Sequence, residues 1–396
     1  MSKLINALCP NCNSASVKTF YEAKNVPVNS CLLFSSSDKA INFPKGNVIL
    51  GFCSNCGFIT NMAFNPKIVD YSSLAPEEQG SSDTFNKFID SLANRLIETY
   101  NIRNKEILEI GCGRGDFLAL LCRLGNNKGV GIDPSTITGD LKSPLSNDLV
   151  FIRDFFSAKY ADYIGDLVCC RHTLEHISQT SVFVKNLRAL IGTNYETINF
   201  FEVPDTTRIL KEVAFWDIYY EHCSYFTLGS LARLFRLNNF EIEYLSKDYF
   251  NQYLLIDSKP TKQLSEKYFD SEETVKTTSK NVLDFSVNSS KKIEKWKTIL
   301  NTIKEEKKKA IIWGSGSKCV GFMTTLNMVN EVNYIIDINP LRHGKFVSGV
   351  GKQIMPPEFL RKYNPDVVII MNPVYITEIK RDLNNMGITP EIIPCL

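Results

Sequence analysis

Short apolar runs alternate with amphipathic segments through the middle of the chain. Segment 82–100 repeats its apolar residues at helical spacing, and Ser82 or Asp83 can cap its start. Runs that are mainly apolar indicate strands buried on both faces of a sheet, and they occur at 107–110, 128–132, 150–152, 166–172 and 197–204. Strands that alternate with helices predict a doubly wound parallel sheet, closed here by an antiparallel pair at 241–245 and 253–257.

Similar patterns stand at both ends of the chain. Strand-like pieces at 30–35 and 47–52 precede the central segments. A polar stretch with helical signals at 282–306 leads into further strands at 310–313, 332–337 and 366–371. Because 396 residues exceed one ordinary domain, we expect a module at 1–75, a central domain at 76–258 and an α/β domain at 259–396 that opens with a helical linker at 259–309.

The first central strand ends in a loop with alternating glycines. Glu109 and Ile110 are followed by Gly111, Gly113 and Gly115, and a helix is predicted from 117 to 124. Glycines let the backbone turn tightly and approach a ligand, which would lie over the helix N-terminus. Dinucleotide enzymes favour Gly-x-Gly-x-x-Gly, whereas the present spacing resembles motif I of class I S-adenosylmethionine (SAM) methyltransferases. A glycine turn without a ligand is the remaining alternative.

Acidic and histidine side chains stand where the central strands end. Asp133 comes 18 residues after Gly115, at a place where a carboxylate can accept hydrogen bonds from ribose hydroxyls. Asp154 follows the third strand, where the methyltransferase pattern has an acid against the adenine amino group, and His172 follows the fourth. Ligands of such sheets bind beyond the carboxyl ends of the strands. We therefore assign these three side chains, Glu109 and the loop glycines to the cofactor.

Two Cys-x-x-Cys pairs lie in the amino-terminal module. Cys9 and Cys12 form the first pair, and Cys53 and Cys56 form the second. Each pair places two thiolates on one turn, and four thiolates make a closed tetrahedral site suited to zinc. A redox dithiol is the alternative, but the presence of two pairs favours a metal site. We predict structural zinc, because four protein ligands leave no position for a catalytic water.

Charge and hydropathy narrow the class of protein. The 45 basic and 43 acidic side chains give a net charge of +2, which disfavours a nucleic-acid binder. No apolar run reaches the length of a membrane span, and the first residues lack the pattern of a signal peptide. We expect a cytoplasmic protein without nucleic-acid or membrane partners, present as a monomer or small homo-oligomer.

Three of the four histidines are predicted to share one cleft. His172 and His176 follow the fourth strand four residues apart, which is one helical turn if the segment is helical. The His-Glu-x-x-His order of a zinc helix is absent, so a metal there is disfavoured. His222 lies in segment 219–227, which is rich in groups able to hold protons and precedes a helix that Thr227 can cap. An aromatic core turn is the alternative for that segment.

The carboxyl-terminal part has a second glycine turn. Gly314 and Gly316 follow a strand, and Asp337 ends the next one, as in a dinucleotide site. The third glycine of the fingerprint is displaced to Gly321, which disfavours a second nucleotide cofactor. The turn could still help to bind a phosphorylated substrate through backbone N–H groups.

The order of these features along the whole chain resembles the sugar C-methyltransferases. That family acts on thymidine-diphosphate or related nucleotide-linked 4-keto-deoxysugars. It combines a small zinc module, a SAM domain and a carboxyl-terminal Rossmann-like domain without its own cofactor. Besides the cysteine pairs and the glycine loop, the marks of the resemblance are Asn65-Pro66 leading to Tyr71 and the segments 174–176, 219–226 and 313–318. The implied fold is α/β, with a central class I SAM-methyltransferase sheet between the zinc module and the Rossmann-like domain.

The resemblance also implies roles for single residues. His222 would be the general base, with Glu221 and Tyr219 beside it, and His176 and Tyr71 would line the site. The implied reaction is methylation of a carbon next to the 4-keto group, with C3 favoured and C5 left open. The base would remove the acidic C3 proton. His176 or a tyrosine hydroxyl would stabilise the enolate. The implied cofactors are SAM and structural zinc.

Three other functions compete with this interpretation. The first is an O- or N-methyltransferase of another small molecule, for which the Tyr-Glu-His group would be more than is needed. The second is a zinc-ribbon RNA methyltransferase, which calls for a basic face that the charge balance does not suggest. The third is a binding protein with a decayed SAM site, which the intact Glu109, Asp133 and loop glycines disfavour.

Overall fold

A computed structural model describes residues 8–71, 80, 82–136 and 148–396. Its strands are β1 Val17–Pro27, β2 Leu33–Phe34, β3 Lys45–Cys53, β4 Ile59–Asn61, β5 Glu106–Ile110, β6 Lys128–Ile132, β7 Leu149–Ile152, β8 Leu167–Arg171, β9 Ile198–Pro204, β10 Ser224–Tyr225, β11 Phe240–Asp248, β12 Tyr253–Pro260, β13 Ala310–Trp313, β14 Tyr334–Ile336, β15 Phe346–Val347, β16 Ile354–Met355, β17 Val367–Ile370 and β18 Glu391–Pro394. Its α-helices are α1 Ser37–Ile41, α2 Asp83–Tyr100, α3 Asp116–Gly125, α4 Thr180–Ile191, α5 Thr206–Glu212, α6 Leu228–Leu237, α7 Val275–Glu305, α8 Ser317–Leu326, α9 Leu360–Tyr363 and α10 Ile376–Asn385.

The central sheet has the predicted doubly wound form. Its strand order is β7-β6-β5-β8-β9-β12-β11, and the pairs are parallel except for the two that involve β12. The order reverses direction at β5, where the glycine loop leaves the sheet, and ligands of open α/β sheets bind at such a reversal. The prediction of a class I methyltransferase sheet closed by an antiparallel pair is confirmed.

The amino-terminal sheet is antiparallel, in the order β1-β3-β4-β10. Its last strand, β10, belongs to the central part of the chain and begins two residues after His222. The strand expected at 30–35 is reduced to Leu33–Phe34, which pairs with β15 of the carboxyl-terminal part. The sequence pattern does not predict the long strand β1, because its apolar and polar residues do not alternate regularly.

The carboxyl-terminal sheet is parallel, in the order β16-β14-β13-β17-β18. The linker helix α7 starts earlier than expected, because Thr274 caps it by accepting a hydrogen bond from the backbone N–H of Thr277. Gly321 lies on α8, where an added Cβ would stand 2.6 Å from the backbone oxygen of Trp216. This glycine therefore permits close helix packing and is not part of a nucleotide fingerprint.

One hydrophobic cluster contains residues from all three parts of the chain. Val48 of the amino-terminal sheet, Trp216 of the central part, Trp296 of α7 and Phe322 of α8 belong to the same buried cluster. The expected domain boundaries stay a prediction, and the one between residues 75 and 76 lies outside the described residues. Among the described helices, none is both long and apolar enough to cross a membrane.

Candidate active site

A cavity of about 1080 Å³ opens beyond the carboxyl ends of the central strands. Its walls come from all three parts of the chain: the glycine loop, the segments around 172–176 and 217–222, Asn29 and Cys31 of the amino-terminal module, and the second glycine turn with Ser317 and Tyr375. The volume suits two small molecules side by side. Among the described residues, this cavity brings together most of the side chains that the sequence assigned to cofactor and substrate.

The glycine loop has the backbone geometry that requires glycine. Gly111 and Gly115 have φ of +73° and +81°. A Cβ at Gly111 would stand 1.9 Å from Thr173 Oγ1, whereas a Cβ at Gly113 would meet nothing within 4 Å. The loop is tied to Asp133, whose Oδ2 accepts a hydrogen bond from Gly113 N at 3.0 Å. The loop therefore packs against protein at Gly111 and leaves open space at Gly113.

Glu109 is buried beneath the loop. It is 2% exposed, and its Oε2 has no hydrogen-bond partner among the described residues. Burial raises the pKa of its carboxyl to about 8. An acid with this pKa is largely protonated at neutral pH and gains most from a cationic ligand, because a nearby positive charge favours its ionised form.

Asp133 lies at the cavity as predicted, but Asp154 does not. Asp133 holds the chain beyond β6 through bonds from Ser135 N at 2.7 Å and Ser135 Oγ at 2.6 Å. The Asp154 carboxylate pairs with Lys159 and accepts a hydrogen bond from Tyr160 at 2.6 Å. The neighbouring Phe155 and Phe156 line the cavity instead. The position expected to meet adenine thus offers aromatic rings rather than the acid.

His172 belongs to a buried group of charges. Its Nε2 lies 2.7 Å from Glu202 Oε1 and its Nδ1 lies 3.5 Å from Glu175 Oε1. Burial opposes its charge, yet these two carboxylates raise the pKa of His172 to about 9. Its φ of +47° changes the direction of the backbone between β8 and the 3-10 turn Leu174–His176. This conformation excludes a helix across His172, so the one-turn spacing that a helix would have given to His172 and His176 does not apply. The two rings have different partners.

His176, His222 and Tyr219 form a row of rings. The His176 and His222 centroids are 4.8 Å apart, as are those of Tyr219 and His222. His176 Nδ1 lies 3.0 Å from the backbone oxygen of Glu221. Because a carbonyl oxygen only accepts, Nδ1 carries the proton and Nε2 of neutral His176 has a lone pair. Tyr71 OH lies 3.5 Å from His176 Nδ1, at the edge of this row.

His222 is the least constrained member of the row. Among the described residues, no side chain or backbone group forms a hydrogen bond with its ring. Burial and the neighbouring His176 lower its pKa to about 3. The imidazole is therefore neutral at physiological pH, and its protonation depends on a nearby negative charge. Glu175, also buried, opposes part of this shift and would face the imidazolium once formed.

Glu221 and Tyr219 are held by residues that the sequence did not single out. Glu221 Oε1 accepts hydrogen bonds from Ser30 N, at 2.7 Å, and from Ser30 Oγ. Tyr219 OH donates to Asp217 at 2.8 Å. Asp217 is buried, yet Lys318 and Arg208 hold its pKa well below the usual range. Lys318 lies in segment 313–318, one of the marks of the family resemblance. No local sequence pattern indicates a functional role for Ser30, Asp217 or Arg208.

The four cysteines converge as predicted. Their sulfur atoms lie within 4.8 Å of one another, with Cys9 and Cys56 at 3.6 Å and Cys12 and Cys53 at 3.7 Å. A disulfide needs about 2.05 Å. Tetrahedral zinc with Zn–S bonds of about 2.3 Å separates its sulfurs by about 3.8 Å. The cluster is therefore compatible with zinc.

Two sequence families match the chain. Residues 82–245 match a family described as "Methyltransferase domain", and residues 253–389 match the "C-methyltransferase C-terminal domain". The chain combines a methyltransferase domain with a C-methyltransferase C-terminal domain. This pairing confirms the predicted resemblance to C-methyltransferases and the prediction of an enzyme of that class.

A curated relative and several solved structures are also similar. C-methyltransferase NovU of Streptomyces niveus is 24% identical over 213 residues, which are 50% of this chain and 47% of the relative, so the match spans about half of that protein. Magnesium protoporphyrin IX methyltransferase (ChlM) of Synechocystis PCC 6803, solved with bound SAH, has 15% identity and a TM-score of 0.36, covering 45% of this chain and 84% of that one. The PH0226 protein of Pyrococcus horikoshii OT3 has 19% identity and a TM-score of 0.37, covering 48% and 98%.

Proposed function

We propose that the protein is a SAM-dependent C-methyltransferase that methylates the carbon next to the keto group of a nucleotide-linked 4-keto-deoxysugar, at C3. The observation that carries the proposal is a half-buried His222 that stands between His176 and Tyr219 in the same cavity as the glycine loop. A carbon becomes a nucleophile only after it loses a proton, so a base next to the methyl donor is what this reaction requires.

The residues around the glycine loop suit SAM. The open side of Gly113 and the nearby Asp133 can receive a nucleoside, and Phe155 and Phe156 offer aromatic faces. Glu109 Oε2, which has no hydrogen-bond partner in the described part of the chain, suits a cationic ligand. When bound, SAM supplies an electrophilic methyl group on a sulfonium. We assign Glu109, Gly111, Gly113, Asp133 and His172 to this half of the cavity, with His172 acting through Glu175 and Glu202. Gly115 does not line the cavity and is assigned to the turn that leads into α3. Asp154 stays a predicted cofactor residue, but its contacts with Lys159 and Tyr160 do not support that role.

Different residues in and beside the row of rings remove the proton from the acceptor and stabilise the resulting enolate. His222 accepts the proton from the carbon, and Glu175 faces the resulting imidazolium. The enolate oxygen then needs a hydrogen-bond donor. His176 Nδ1 already faces the backbone oxygen of Glu221, and Tyr219 already donates to Asp217. Tyr71 OH has longer contacts, 3.5 Å to the Glu221 backbone oxygen and 3.5 Å to His176 Nδ1, and burial raises its pKa, which keeps the hydroxyl protonated. We therefore favour Tyr71 as the donor, with His176 orienting the neighbouring backbone at Glu221.

The carboxyl-terminal domain supports a phosphorylated acceptor. Gly314, Gly316, Ser317 and Lys318 line the cavity, and α8 begins at Ser317 with no side-chain cap on its first N–H groups. Such an N-terminus attracts anions. Asp337 accepts hydrogen bonds from Ser315 N at 2.9 Å and from Ser315 Oγ at 2.5 Å, so its Oδ2 holds its own loop. This arrangement favours binding of the nucleotide part of the acceptor over a second cofactor.

The proposal is tested by the position of the new methyl group. Incubation with SAM and a panel of thymidine-diphosphate 4-keto-deoxysugars is expected to give a product whose NMR spectrum shows a methyl on C3. In heavy water without SAM, the same sugar is expected to gain deuterium at the acidic carbon, because proton removal precedes methyl transfer. A methyl group on oxygen or nitrogen would contradict the proposal, as would methylation without any exchange.

The pKa of Glu109 predicts pH-dependent binding of SAM. Below pH 8 the carboxyl is mostly protonated, and a cationic ligand favours ionisation, so binding at pH 7 is expected to release a proton. SAM affinity should then rise with pH from 6 to 8, by at most about tenfold per pH unit. Calorimetry in two buffers with different ionisation heats measures the proton release.

The substitution Glu109→Gln is expected to abolish the part of this proton release that belongs to Glu109. Glu106→Gln is the matched control, because Glu106 lies exposed on the same strand and does not line the cavity. Equal proton release in wild type and Glu109→Gln would show that another group ionises.

A further inference from the structure

A segment of the amino-terminal module reaches the acceptor end of the cavity. Asn29 and Cys31 line the cavity, and Ser30 lies between them. Cys31 Sγ is 3.0 Å from Ser317 Oγ of the carboxyl-terminal domain. Ser348 Oγ donates a hydrogen bond to the backbone oxygen of Asn29 at 2.9 Å. The segment is therefore anchored from both sides and meets the central domain where Glu221 and His222 stand.

Ser30 fixes one half of the Glu221 carboxylate. Its N–H and its hydroxyl both donate to Oε1, across 191 positions of the chain. Glu221 is 3% exposed, and its Oε2 has no hydrogen-bond partner among the described residues. A carboxylate held at one oxygen presents the other in a defined direction. Because the Glu221 backbone oxygen also accepts from His176 Nδ1, the same residue links Ser30 to the row of rings.

Asn29 offers a donor in a fixed orientation. Its Oδ1 accepts hydrogen bonds from Cys31 N at 2.9 Å and from Leu32 N at 3.2 Å. Because both partners are donors, Oδ1 must be the oxygen, and the amide Nδ2 points the opposite way. Asn29 is 1% exposed, and Nδ2 has no partner among the described residues. A buried donor without a partner is costly, and a ligand oxygen in the cavity would remove that cost.

We propose that segment 29–31 is part of the acceptor site, with Ser30 positioning the Glu221 carboxylate and Asn29 donating a hydrogen bond to a carbonyl or hydroxyl oxygen of the acceptor. This inference rests on the proposed function, because it assigns the acceptor half of the same cavity. It also gives the zinc module a direct part in substrate binding, beyond its own folding.

Two substitutions separate these roles. Asn29→Asp keeps an oxygen for the N–H groups of Cys31 and Leu32 but removes the donor. It is expected to raise the KM for the acceptor by about tenfold or more and to leave the KM for SAM unchanged. Ser30→Ala is expected to lower kcat by about tenfold, and Ser30→Thr, which restores a hydroxyl, should recover most of that loss. A merely structural role would not produce this division between KM and kcat.

Ser348→Ala is the matched control. It removes a buried hydrogen bond to the same segment, but Ser348 does not line the cavity. Thermal stability is expected to fall in this variant while both KM values stay as in wild type. An increase in the acceptor KM as large as that of Asn29→Asp would mean that the segment acts only through its fold, and would overturn the inference.

Protection of Cys31 from alkylation gives a second measurement that needs no methyl transfer. With SAH and a thymidine-diphosphate 4-keto-6-deoxysugar bound, modification of Cys31 by N-ethylmaleimide, followed by mass spectrometry, is expected to slow several-fold. Protection without C-methylated product would sink the proposed function and leave this inference standing. Methylated product with no protection and unchanged kinetics in both variants would overturn the inference alone. Absence of both protection and product would overturn both.

Discussion

Replacing His222 with alanine is expected to lower kcat for methyl transfer by about a hundred- to ten-thousandfold, the usual contribution of a positioned general base. The reason is geometric. His222 is the ring between His176 and Tyr219, and among the described residues no protein group uses its lone pair. Deuterium wash-in from heavy water in the absence of SAM should fall by the same factor, because it reports proton removal alone.

SAM binding separates a catalytic role from a folding defect in this test. Calorimetry should give a Kd for SAM in His222→Ala within a few-fold of wild type, since the glycine loop lies on other elements. His343→Ala is the matched control, because His343 bonds to the backbone oxygen of Asp337 and does not line this cavity. Near-normal deuterium exchange in His222→Ala would remove His222 from the role of base.

The pH profile of kcat offers an independent check. Because the pKa of His222 is lowered to about 3, its imidazole stays neutral as pH falls from 8 to 5. An ordinary histidine with a pKa near 6.5 would lose its lone pair in that window. The kcat of the wild type is therefore expected not to fall with a midpoint near pH 6.5. A fall with that midpoint in the wild type that is absent from His222 variants would contradict the lowered pKa.

Loss of metal from the predicted zinc site is expected to have the second large effect. Structural zinc contributes about 10 kcal/mol or more to the folding of small modules. Cys53 ends β3, the turn with Cys56 follows, and the next strand, β4, pairs with β10 next to His222. Thr60 Oγ1 also donates to the Cys223 oxygen at 3.0 Å. Loss of the metal should displace these strands, and a displacement of about 1 Å can cost a hundredfold in rate.

The variant Cys56→Ser is expected to lose stoichiometric zinc, measured by elemental mass spectrometry, and about a hundredfold or more in kcat. SAM affinity should fall much less, because the glycine loop belongs to the central sheet. Cys122→Ala is the matched control: Cys122 is also buried, but it packs in α3 away from the four-cysteine cluster. Normal turnover in a zinc-free Cys56→Ser protein would contradict the proposed coupling.

Local patterns predicted most of the secondary structure. Helix α2 begins at Asp83 with Ser82 as its cap, and α6 begins after Thr227, whose cap has the additional reciprocal bond with Ser230. Both features depend on residues within one turn of each other, so the sequence contains all of their information. The cysteine pairs and the glycine loop are local in the same sense.

Predictions of side-chain roles were weaker where several charged groups could pair with the same side chain. Asp154 has the expected position after β7, but its carboxylate turns to Lys159 and Tyr160 five and six residues further on. His172 would lie one helical turn from His176 only if the segment were helical, but its contacts with Glu202 and Glu175 accompany a left-handed backbone conformation that excludes a helix. In both cases charged partners that spacing does not reveal decided the outcome.

The sequence by itself determined which elements form and which chemical groups the site can draw on: the cysteine pairs, the glycine loop, Asp133 and the segment around His222. Only the tertiary structure decided what those groups do to one another. It placed Ser30 on Glu221, Lys318 on Asp217 and Tyr71 beside His176, at separations of 191, 101 and 105 residues. It also lowered the pKa of His222, because burial and a neighbouring ring act through space and leave no mark on the order of residues.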